Sequence, residues 1–238
     1  MTGLWRSVLI GAVLGVLVVG GLAAAAALGV LPGSEKQSPA TAGGPVLVAL
    51  VLPDAEGVLT IRALDRYDGT GTALRVSSVD PLASATVPGT SAASLAEAYS
   101  FGGGDGLAEA YAAAAGGVTP AWIIVSPSSW STLMGATPVA ITLPTDIDVF
   151  DGKELYSYAA GSASVPAGEI AQVMNGAALL SATDRKLIRE AVGDALATAI
   201  LQGAQRAPSA IQTNLTPEEI TQRLQGINPS PIRADRTQ

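Results

Sequence analysis

The chain opens on its longest unbroken apolar stretch. From Ser7 to Leu31 no side chain is charged, and every residue after Ser7 is apolar or glycine. As a helix Val8–Leu31 is about 36 Å long, enough to cross a bilayer core of roughly 30 Å with some tilt. Trp5 and Arg6 precede the run, and Pro32-Gly33 with Glu35 and Lys36 follow it. This reads as a 1–6 cytoplasmic stub and a 7–31 transmembrane helix, with the N-terminus inside and the rest outside the cell membrane. A cleavable signal peptide is the competing reading, since Ala23–Ala27 offers small-residue cleavage sites, but the run exceeds an ordinary signal core.

Beyond a Pro-, Gly- and Ser-rich linker at 32–44, the pattern alternates between strand and helix periods. Val46–Leu52 is continuously apolar, as a strand buried on both faces requires. Val58–Leu64 and Ala73–Val79 predict two more strands with Asp68–Gly71 as their turn, and Ala121–Val125 and Pro138–Leu143 predict another two. Helices are expected at Ser91–Tyr99, Leu107–Ala115, Ser128–Met134, Ala167–Leu180 and Thr183–Gln202, with a glycine-rich break at Phe101–Gly106. In the longest one Leu187, Ile188, Val192, Ala195, Leu196 and Ile200 form one apolar stripe. Thr216-Pro217-Glu218-Glu219 is a capping box opening a short helix to Leu224, and the tail from Gly226 is expected to be disordered. The class is therefore α/β, a mixed central sheet flanked by helices. It spans an extracytoplasmic domain at 45–205, with a short helix and tail at 206–238.

Composition narrows the chemistry. Of 238 residues 48% are hydrophobic, enough for a core, and none is histidine or cysteine. That excludes Ser-His-Asp and Cys-His nucleophiles, His or Cys zinc sites and disulfides. A net charge of −7 argues against nucleic-acid binding, which needs a basic face.

Several segments, in order, resemble the LytR-CpsA-Psr family. Leu52-Pro53-Asp54 is similar to its opening strand, which ends in an Asp. Ser78-Val79 and Ala85–Gly89 match the frame of its Ser-Ile-Pro-Arg-Asp to Ile-Pro-Gly motif. Ala96–Gly103 resembles its Asn-x-Ala-Tyr…Gly-Gly segment, Gly117–Val125 and Trp130–Val139 its strand, short helix and Gly-Gly-Val stretch, and Asp184–Glu190 its last helix motif. The resemblance implies an α/β/α domain behind a membrane helix. It also implies transfer of glycopolymers from polyprenyl pyrophosphate to the cell wall, with arginines, acidic residues and magnesium on the pyrophosphate and the lipid in an apolar tunnel.

The departures from that pattern bear on function. In the same frame the motif's arginine falls on Pro81 of Asp80-Pro81-Leu82, an earlier Arg-x-Asp falls on uncharged Gly57–Thr60, and an arginine-rich segment falls on Asn175–Ser181, which has no basic residue. Lys186 and Arg189 alone stand at family arginine positions. Residues 44–205 hold seven basic against sixteen acidic side chains, a balance that repels anions unless the cations cluster. The candidate ligand-binding residues are Asp54, Arg185, Lys186 and Arg189; no catalytic residue is named.

For each candidate a plainer role stands beside the functional one. Arg185 and Arg189 share a helix face that Asp184 and Glu190 would pair in solvent, and Asp54 would be a strand-end turn residue. The FGGGDG run lacks the spacing and lysine of a phosphate cradle, and Asp146, Asp148 and Asp151 lack the glycine and closing glutamate of a calcium loop. Tyr99, Trp122 and Trp130 read as core or lid. The favoured function is a membrane-anchored, non-catalytic relative that binds envelope glycopolymer, a polyprenyl lipid or an active family member. The alternatives are a working transferase with arginines supplied from Arg62, Arg66 or Arg75, and an unrelated surface or sensor domain. No cofactor is expected, magnesium entering only with the transferase.

Overall fold

A computed structural model describes residues 44–70, 73–203, 208–224 and 232–233. The stub, apolar run and most of the linker lie outside the described residues, and among those described no helix is long and apolar enough to cross a membrane.

The continuous apolar run becomes β1 (Val46–Pro53), and its alternation is satisfied on both sides. Val46, Val48, Leu50 and Leu52 join one core, Leu47, Ala49 and Val51 the other. Burying each such side chain is worth about 1.5–3 kcal/mol before entropy is charged against it. β1 lies at the centre of a six-stranded sheet with β2 (Leu59–Thr70), β3 (Ala73–Ser78), β4 (Ala121–Val125), β9 (Gln212–Thr213) and β10 (Ile232–Arg233), in the order β10-β3-β2-β1-β4-β9. β1 runs parallel to β4 and antiparallel to β2, so the sheet is mixed, as the sequence pattern predicts.

One face is covered by α1 (Leu95–Ala115), the other by α2 (Pro127–Met134), α3 (Ile170–Ala177), α4 (Ala182–Gly203) and α5 (Pro217–Leu224). In α4 Ile188, Val192, Leu196 and Ile200 are fully buried at a strict i+4 spacing, whereas Leu187, expected on the stripe, is half exposed. The Thr216 capping box forms: Thr216 N donates to Glu219 Oε2 (2.8 Å) and Glu219 N to Thr216 Oγ1 (3.3 Å). Ile220 and Leu224 carry α5 into the same core, which continues through this segment.

Four expectations are corrected. The glycine-rich break is a kink inside one helix: only Gly103 leaves helical geometry (φ 59°, ψ −146°). A Cβ on Gly104 would collide with the Trp122 ring and one on Gly106 with the Ala98 carbonyl, so these two glycines serve packing. The 68–71 turn is shorter than expected because β2 runs on to Thr70. The polar stretch after Leu143 contains a hairpin, β6 (Ile147–Phe150) with β7 (Leu155–Tyr158), and a further strand, β8 (Gly161–Val165), that pairs back with β5 (Val139–Leu143). Of the tail expected to be disordered, Ile232–Arg233 pairs in parallel with β3.

Candidate functional site: an arginine-lined cleft

β2 carries the local irregularity that builds the site. Leu50 pairs with Ala63 and Val51 with Ile61, so Arg62 is an extra residue opposite no partner, a β-bulge. Strict alternation back from Leu64, on the α1 side, would turn residue 62 toward α1. The bulge instead puts Ile61 in the α1 core while Ala63 and Tyr67 stay in the opposite core. Arg62 is thereby aimed at α3 and α4, where its Nη2 donates to Asn175 Oδ1 at 2.8 Å.

There it lines a cleft of about 280 Å³ with Thr60, Asp80, Leu82, Arg185 and Arg189, floored by Met174 and Ala177 of α3. Three guanidinium groups thus face one carboxylate in a chain whose net charge is −7. Burial lowers the Arg62 pKa, an effect opposed by the charges of Asp54 and Glu56. A larger groove of about 520 Å³ between α2, β5 and α4 has, among the described residues, Asp194 as its one charged lining residue.

The α4 arginines reach the cleft because Ser181 absorbs the neighbouring acid. Ser181 Oγ donates to Asp184 Oδ2 (2.8 Å) and accepts from Asp184 N (3.2 Å), capping the helix. Arg185 Nη1 donates to the carbonyls of Leu180 (2.8 Å) and Ala178 (3.3 Å), neutralising the C-terminal end of α3. Arg189, one turn on, stands 3.8 Å from Asp80, and its buried Nε has no hydrogen-bond partner. A separation of 3.8 Å to a half-exposed carboxylate is a weak pairing, so Arg189 keeps donors for a ligand.

The sequence candidates divide. Arg185 and Arg189 are brought together in the cleft, while Asp184 pairs with Ser181. Lys186 does not line it. Asp54 Oδ1 accepts from Glu56 N (3.0 Å) and Val58 N (2.8 Å), the turn role set beside its ligand role. Of the three replacement arginines only Arg62 reaches the cleft. Arg66 binds Asp68 (2.9 Å) and the Tyr111 hydroxyl (3.1 Å), while Arg75 is exposed on β3. Trp122 and Trp130 are buried, with indole N–H groups on Asp105 (2.8 Å) and the Ala167 carbonyl (2.8 Å). Asp146 and Asp151 accept backbone N–H groups of the hairpin turns.

No family model and no curated protein matches this sequence. Solved structures do match. The LytR-Csp2A-Psr enzyme from Actinomyces oris aligns at a TM-score of 0.58 and 12% identity, over 80% of this chain and 79% of that one. The chain has the LytR-CpsA-Psr fold. B. subtilis TagV (TM-score 0.54, 15% identity, 80% of this chain and 83% of that one) agrees. So does TagT bound to LI-WTA (0.54, 13%, 84% and 79%).

The Asp80-Pro81-Leu82 loop lines the cleft, and Thr60 and Arg62 of β2 enter it from the other side. Asn175 of α3 is the residue that holds Arg62.

Proposed function

We propose that this chain is a membrane-anchored, extracytoplasmic protein of the bacterial cell envelope that binds the phosphate part of a polyprenyl-linked glycopolymer in the arginine cleft. The observation that carries this reading is the convergence of Arg62, Arg185 and Arg189 on one small cavity. A pyrophosphate needs several charge-assisted donors, and guanidinium groups supply them in pairs. TagT, a structural neighbour, was solved with LI-WTA bound, which supports a glycopolymer ligand for this fold. The N-terminal apolar run supplies the anchor in this reading.

Holding the carrier needs only these donors and the apolar floor, so the reading is that of a non-catalytic holder that presents the polymer to an active relative. A transferase is the second reading, and Arg62 favours it because it restores a cation the motif lacks. Among the described residues Asp80 is the one carboxylate lining the cleft, loosely paired with Arg189. In the transferase reading Asp80 is the residue that would hold magnesium together with the substrate phosphates.

Titrating the full 238-residue chain with inorganic pyrophosphate and with a polyprenyl pyrophosphate tests the reading. Saturable binding is expected, weakened about tenfold or more by Arg189→Ala. Binding that survives the triple Arg→Ala variant, or no binding by the native chain, refutes it. Polymer transfer to a wall acceptor by the purified chain alone would select the transferase over the holder.

A further inference from the structure

Arg62 is the extra residue of a bulge, and burial penalises its charge. Its Nη2 donates to a neutral group, Asn175 Oδ1 at 2.8 Å. Among the described residues no carboxylate comes within ion-pair distance of it, and Asp54 and Glu56 act on it through their charge alone. Arg66, on the same strand, is held by a carboxylate instead, its Nη2 lying 2.9 Å from Asp68 Oδ1, and it does not line the cleft. Asn175 is itself firmly placed. A Cβ on its neighbour Gly176 would collide with the side chains of Ile147 and Val149, so glycine is what lets α3 seat this closely on β6. Met174 and Ala177, which flank the Asn175-Gly176 pair, line the cleft.

We propose that Asn175 is a positioning residue of the cleft: its amide oxygen fixes the Arg62 guanidinium and leaves the positive charge uncompensated, to be met by the phosphate of a bound ligand. A carboxylate in the same place would hold the guanidinium at least as well, because hydrogen bonds between two ionised groups are shorter and stronger, but it would also satisfy the charge. An amide restricts the rotamers of a long, flexible side chain before the ligand arrives, so less ordering is left for binding to supply, and the cation stays available. The inference rests on the phosphate reading of the cleft for its ligand and on the Arg62–Asn175 contact for its geometry.

Two variants separate holding from neutralising. Asn175→Ala removes the acceptor, and Asn175→Asp keeps it and adds a charge. In calorimetric titrations of the full chain with inorganic pyrophosphate, Asn175→Ala should weaken binding about fivefold and Asn175→Asp about tenfold or more, both variants keeping a cooperative urea transition. In an Arg62→Ala background Asn175→Ala should change the affinity by less than about twofold, because it acts through Arg62. Positioning is also read without ligand, by nuclear magnetic resonance of the chain carrying isotope-labelled arginine, with the Arg62 Nη signals assigned by their loss in Arg62→Ala. These signals should be separate in the native chain and in Asn175→Asp, and averaged by rotation in Asn175→Ala. Native affinity in Asn175→Asp overturns the proposal, because a contact that merely fastened α3 to β2 would tolerate the carboxylate. Separate Arg62 signals in Asn175→Ala, or a full effect of Asn175→Ala in the Arg62→Ala background, overturn it as well. If the native chain binds no pyrophosphate while Asn175→Ala still averages the Arg62 signals, the proposed function falls and the positioning of Arg62 stands.

Discussion

Arg62 and Arg66 lie four residues apart on one strand and have opposite fates. Arg66 faces α1, where Asp68, the Tyr111 hydroxyl and the Tyr111 ring (5.9 Å to its centroid) engage its charge and both terminal nitrogens, leaving only its buried Nε without a partner. Arg62 faces α3 and α4, where one amide oxygen holds it and the rest of the guanidinium lines an open cleft. The same residue type becomes structural on one face and available on the other, and one inserted residue decides between them. Strand parity is a switch that a bulge can throw for a single position while the ladder continues on both sides.

Deletions break the comparison most sharply. Removing Arg62 leaves Ile61 and Ala63 adjacent, already paired with Val51 and Leu50, so the ladder becomes regular. Chemical denaturation of that deletion variant should stay within about 1 kcal/mol of the native chain, with pyrophosphate binding abolished. Removing Arg66 throws Tyr67, 1% exposed, out of register with its face. It should cost about 3–5 kcal/mol, the scale of truncating a large core side chain, and often prevent folding. Equal damage from both deletions would show that the bulge is structural.

Substitutions separate the two roles without touching the register. Calorimetric titration with pyrophosphate should show about a tenfold to hundredfold loss for Arg62→Ala and an unchanged affinity for Arg66→Ala. Stability should reverse the order. Arg66→Ala loses a half-exposed ion pair, a hydrogen bond and a cation–π contact, about 1 kcal/mol together, whereas Arg62→Ala also relieves a desolvated charge and should fall within about 0.5 kcal/mol. A urea midpoint that drops further for Arg62→Ala than for Arg66→Ala would contradict the assignment.

How much of this was legible in the sequence follows from the same physics. β1 announces itself because a strand buried on both faces must be apolar throughout, and the α5 capping box because its hydrogen bonds are local. Arg185 and Arg189 were found as a pair at i, i+4, but whether that face met solvent or a cavity depended on Ser181 taking up Asp184. The β6–β7 hairpin was missed since its strands are short and mostly exposed, leaving little hydrophobic period to read. Arg62 was a candidate whose direction could not be read. Ala63 and Leu64 are both buried, on opposite faces, so alternation there carries no parity signal, and a bulge adds no residue type of its own.

The smallest effect bears on the helix partner of Arg62. Arg189 holds a buried Nε with no hydrogen-bond partner and a loose contact to Asp80, an arrangement that costs stability in the empty cleft. Methionine keeps the long unbranched stem and removes the orphaned donor and the charge. Arg189→Met should therefore raise the urea midpoint by the equivalent of about 0.5–1 kcal/mol while weakening pyrophosphate binding, because a group shaped to meet a ligand is strained without one. Arg66→Met should lose stability and keep binding, because although its buried Nε is also without a partner it forfeits the Asp68 ion pair, the Tyr111 hydrogen bond and the ring contact. If Arg189→Met destabilises the chain as Arg66→Met does, Arg189 belongs with the structural arginines and the cleft is left with two cations.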